Sequence, residues 1–67
     1  MQLFQILNFI SSNCPVVIFD INGVRIDAAT SKKDLKIKYF EEDVLEIAAG
    51  KYSDQLPVSA IFIQIQH

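Results

Sequence analysis

Asp20 is the residue whose setting first raises the question of chemistry. It follows the apolar run Val16, Val17, Ile18 and Phe19 and precedes Ile21, Asn22 and Gly23, so a carboxylate ends a strand-like segment just before a glycine turn. A carboxylate so placed can act as a nucleophile, provided that a second group carries the proton of the leaving oxygen. The polar side chain that follows it most closely is Asn22, and an amide cannot shuttle a proton. Other reactive residues are scarce. Cys14 is the sole cysteine and His67 the sole histidine, at the last position. With no histidine, lysine or arginine near it in sequence to activate it, Cys14 reads as a small, buried or half-buried hydrophobe. His67 reads as a solvated imidazole rather than a metal ligand. We therefore expect no catalytic residue, no cofactor and no metal site.

The stretch "VVIFDINGVRID" (16–27) resembles the first motif of the haloacid-dehalogenase-type phosphatases. That resemblance implies Asp20 as nucleophile, a second aspartate as acid and base, and a downstream lysine and metal-binding aspartates in a long α/β domain. Asn22 replaces the second aspartate and the chain has only 67 residues, so the phosphatase reading is rejected.

Asn-Gly between two β-rich runs is instead a strong hairpin signal, because both residues adopt positive φ cheaply. With Asn22 and Gly23 as a two-residue turn, Ile21 pairs with Val24, Phe19 with Ile26 and Val17 with Ala28, while Asp20 faces Arg25 across the ladder. This is the expected register. Its rival is a type I turn over residues 20–23 followed by a glycine bulge, which pairs Phe19 with Arg25 and leaves Ile21 at the tip.

The remaining elements follow from periodicity. In "MQLFQILNFI", Leu3, Ile6, Leu7 and Ile10 share one helical face while Gln2, Gln5 and Asn8 face away, which predicts an amphipathic helix. Phe4 and Phe9 flank the stripe and offer an interface. The segment lacks the basic flank of a signal peptide and is too short to span a bilayer, so no membrane association is expected. Ser11, Ser12, Asn13 and Pro15 end the helix. Thr30 or Ser31 then provides a helix N-cap, with Asp34 in capping-box position. Residues 35–49 admit two readings. Leu35, Ile37 and Tyr39 alternate with Lys36 and Lys38 as in a strand, with a helix after Glu41; alternatively a short helix or turn at 32–40 precedes a strand at "VLEIAA". The run "SAIFIQIQH" is the clearest strand. Ile61, Ile63 and Ile65 alternate with Ala60, Phe62, Gln64 and Gln66, and the absence of charge requires it to be central or paired across a subunit boundary.

The whole order of elements resembles the small uncharacterised proteins of phages and prophages of Gram-positive bacteria. That resemblance implies a short connector helix and strands for "VLEIAA" and the C-terminal run, and it carries no catalytic or binding residue. The fold class expected is α+β: an N-terminal amphipathic helix on a small antiparallel sheet of about four strands, with a short connector helix, in a single domain.

Composition bounds the function. At 67 residues and 51% apolar content the chain folds but buries little, and with no disulfide or metal to help it, association with a second copy or a protein partner is the remaining source of stability. Phe4, Phe9, Ile61, Phe62 and Ile63 are the candidate interface. The net charge of −2 argues against nucleic acid, although Lys32, Lys33, Lys36 and Lys38 form a basic cluster that could touch phosphate. The sequence thus reads as a non-enzymatic cytoplasmic interaction or self-associating module, the alternative being a nucleic-acid-linked phage accessory protein that uses the 32–38 lysine cluster.

Overall fold

Two hairpins laid side by side make the framework. In the computed structural model, which describes residues 1–36 and 41–67, the helix α1 (Leu3–Leu7) leads into β1 (Val16–Phe19) and β2 (Arg25–Ala29). A single 3-10 turn (Lys32–Asp34), β3 (Val44–Lys51) and β4 (Ser59–Ile65) follow. The strand order is β2-β1-β4-β3. Each hairpin is antiparallel, but β1 and β4 lie side by side in parallel, so the sheet is mixed rather than antiparallel as expected. Burial decides which strands are central. The two uncharged apolar runs, Val-Val-Ile-Phe and Ala-Ile-Phe-Ile, take the centre, where parallel pairs are normally found. Arg25 and Asp27 on β2, and Glu46 and Lys51 on β3, mark the edges. The uncharged C-terminal strand is therefore central.

The helix is shorter than the ten-residue stripe predicted. Asn8 still donates to the Phe4 carbonyl, but Phe9 and Ile10 donate to Ile6 and Leu7, three residues back, so the last turn tightens before the Ser-Ser-Asn segment. The Gln5 side chain accepts from the Gln2 backbone N–H (2.8 Å) at the other end. Leu3, Leu7 and Ile10 are buried against Val16, Ile18, Ala29, Leu35, Ile63 and Ile65, with Ile6, Cys14, Ile26, Val44 and Ile61 at the margin.

The described part of the connector, as far as Lys36, forms one 3-10 turn at Lys32–Asp34, with Ser31 at its N-cap position and no side-chain cap bond. Of the two readings of residues 35–49, the strand over "VLEIAA" is the one formed, extended to Lys51. The alternation of Ile37 with Tyr39, and Lys38 of the basic cluster, lie outside the described residues.

Two bulges set the faces of the sheet. Val16, Val17 and Ile18 pair with Ala29, Ala28 and Asp27, as the two-residue turn predicts, yet Phe19 pairs with Arg25. The tip is therefore the rival turn, and the extra residue, Ile26, is absorbed as a bulge that turns it toward the helix side of the sheet. On β3, the register shifts at Leu45, so that Val44 and Ile47, opposite Ile65 and Ile63, both belong to the helix side.

Candidate functional site

At the hairpin tip Asp20 is wholly engaged in shaping the turn. One carboxylate oxygen, Oδ1, accepts the backbone N–H of Asn22 (2.9 Å) and of Val24 (2.8 Å). The Asp20 carbonyl accepts from Gly23, and its N–H donates to Val24. Gly23 sits at φ +78°, the left-handed position that a type I turn with a glycine bulge demands. The turn therefore wins over the two-residue alternative because a carboxylate at its first position satisfies two N–H groups at once. Asp20 does not pair with Arg25 as expected; Arg25 instead donates from Nη1 to the Tyr52 carbonyl (2.9 Å), with its guanidinium over the Tyr52 ring.

That Arg25 to Tyr52 strap joins the two outer strands' ends across the face of the sheet opposite the helix. Beneath it Val17 and Ala60 are buried, so this second face is packed as well. Phe19 and Phe62 meet edge-to-face at 5.2 Å between centroids. The Phe62 ring lies over Gly50, where a Cβ atom would come within 2.3 Å of it. Gln64 donates from Nε2 to the carbonyls of Asp20 and Ile21 (3.2 Å each), which pins the hairpin tip to β4. Between these groups and β3 lies an open depression of about 190 Å³, lined by Phe19, Gly23, Glu46, Ala48, Phe62 and Gln64.

The outer edge of β3 borders this depression. Ile61 donates its N–H to Pro15, so the odd-numbered residues of β4 bond toward β1 and the even-numbered ones toward β3. Their partners Glu46, Ala48 and Gly50 thus face inward, and the backbone groups of Ile47, Ala49 and Lys51 face outward. Met1, Gln2 and Leu3 cover only the beginning of this edge. Val44 donates to the Met1 carbonyl and Leu3 to that of Glu42, closing an antiparallel bridge between Gln2 and Asp43. Beyond it, among the described residues, nothing pairs with the edge. Leu45 and Ile47 are 46% and 49% exposed there.

The residues singled out in the sequence fall in three places. Phe4 and Phe9 are exposed, Phe9 to 85%. Ile63 is fully buried in the core and Ile61 packs against it, while Phe62 floors the depression on the other face. Lys32 donates from Nζ to the Leu7 carbonyl (2.8 Å) and so closes the end of α1, whereas Lys33 and Lys36 are exposed. Glu46, Ala48, Leu45 and Ile47 escaped the sequence reading. An edge strand exposed on both faces carries no clean alternation, and "VLEIAA" matched helix and strand templates alike.

No group of three or more histidine, cysteine, aspartate or glutamate side chains is placed to hold a metal ion among the described residues. No helix among them is long and apolar enough to cross a membrane. Comparison with known protein families, with curated proteins and with solved structures gives no match.

Proposed function

We propose that this chain is a non-enzymatic protein-interaction module, working in the cytoplasm, whose binding element is the outer edge of β3. The observation that carries the reading is an eight-residue edge strand with Leu45 and Ile47 exposed and the outward backbone groups of Ile47, Ala49 and Lys51 unpaired among the described residues. Open edges of this kind template the addition of another strand, and proteins that do not use them cover, shorten or charge them. Here the cover stops at Val44, and between Glu46 and Lys51 the strand has no charge. The likeness in element order to small phage and prophage proteins is part of the same proposal.

The test is Ala49→Pro. Proline at an outward-facing edge position removes the donor that an added strand needs, and such a position tolerates it in the fold. Association of the purified chain, either with itself by light scattering at high micromolar concentration or with extended peptides by anisotropy, is expected and is lost in Ala49→Pro while the circular dichroism spectrum is kept. Association that survives the substitution, or a chain that binds neither itself nor any extended peptide, overturns the reading.

A further inference from the structure

The side chains bordering the β3 edge select what can be added to it. Glu46 is exposed, lines the depression and has no hydrogen-bond or ion-pair partner among the described residues. Next to it are Ala48 and the edge-to-face rings of Phe19 and Phe62. A strand laid along β3 places every second side chain on this face, with its Cβ about 5 Å from that of Glu46 or Ala48. A side chain that fits has a long apolar stem, to lie over Ala48 and the rings, and a cationic head for the carboxylate and the ring faces. Arg25 does not compete, because its guanidinium is held at Tyr52 and does not line the depression.

Resting on the edge reading above, we infer that the occupant is an extended basic segment of another protein, pairing with the outward backbone groups of Ile47 and Ala49 and placing a lysine or arginine side chain against Glu46. A second copy of the chain is the poorer fit. When two β3 strands pair antiparallel about a two-fold axis perpendicular to the sheet, opposed residues share a face. Glu46 then meets Ala48 or Gly50 of the second copy and never Lys51, which lies on the other face of the strand. The net charge of −2 also favours a basic partner over self-association.

The probe is a short labelled peptide of alternating threonine and valine with one central lysine, compared by anisotropy at low salt with copies carrying glutamine or glutamate there. The lysine peptide is expected to bind about 1.5- to fivefold more tightly than the glutamine one, the range of an exposed ion pair, and the glutamate peptide more weakly than either. In Glu46→Gln the lysine and glutamine peptides become equal, and in Ala49→Pro both are lost. Equal binding of all three peptides by the native chain, still abolished by Ala49→Pro, overturns the basic occupant and leaves the edge reading standing. Peptide binding that Ala49→Pro does not weaken overturns both. A dimer of the native chain that Ala49→Pro dissociates and the lysine peptide does not displace assigns the edge to a second copy, and overturns the inference.

Discussion

Gly50→Ala probes the packing of the sheet face opposite the helix through a single methyl group. Gly50 lies under the Phe62 ring, and an added Cβ would stand 2.3 Å from Cε2 and 2.4 Å from Cζ. Restoring ordinary contact requires the ring to retreat by about 1 Å, an overpacking shift of the kind that costs roughly 1–3 kcal/mol. The retreat also disturbs the edge-to-face contact of Phe62 with Phe19, which contributes roughly 0.5–1.5 kcal/mol. Against this, alanine in a strand interior gains about 0.5–1 kcal/mol over glycine. The net expectation is a loss of roughly 1–4 kcal/mol, which in a chain of this size lowers the melting temperature by roughly 4–8 °C per kcal/mol. Urea denaturation followed by circular dichroism measures it, and the double variant isolates the cause. In a Phe62→Leu background, where the ring is gone, Gly50→Ala should be neutral or stabilising, with a coupling of at least about 1 kcal/mol between the two sites. A Gly50→Ala chain as stable as the native one, or a cost that is the same with and without the ring, would refute the packing described.

Three further outcomes are expected. Asp20→Ala strips two N–H groups of their acceptor and should cost about 1–2 kcal/mol in chemical denaturation, with the hairpin-tip amides of Asn22 and Val24 losing hydrogen-exchange protection first. Lys32→Met removes the donor to the Leu7 carbonyl and should lower stability by about 1 kcal/mol, with the loss concentrated in protection of the α1 amides. Phe9→Ser, at a ring 85% exposed, should leave the denaturation midpoint within about 0.5 kcal/mol of the native chain.

How much was legible in the sequence follows from where each residue lies. The central strand β4 was readable because Ile61, Ile63 and Ile65 alternate against less apolar neighbours and no charge interrupts them. The parallel contact of β1 with β4 was not, since both runs show only that they need burial and neither shows which strand lies beside it. The hairpin was readable in its base and not at its tip. Local preference weighed Asn22 and Gly23, but the deciding interaction is the Asp20 carboxylate bonding two N–H groups, and the Ile26 bulge then restores the original register. Of the candidate interface, Phe62 and Ile63 are adjacent in sequence and lie on opposite faces, one beside the depression and one in the core. The β3 edge was hidden for a physical reason: a strand paired on one side and exposed on both faces is under little pressure to alternate.

Amide hydrogen exchange along β3 tests the central claim most directly. If the edge is open as described, the N–H groups of Ile47 and Ala49 exchange freely while those of Ala48 and Gly50, bonded to β4, are protected, and adding the lysine peptide protects Ile47 and Ala49 in turn. Uniform protection of residues 47–50 in the free chain, or a lysine peptide that leaves the Ile47 and Ala49 amides unprotected, would contradict it.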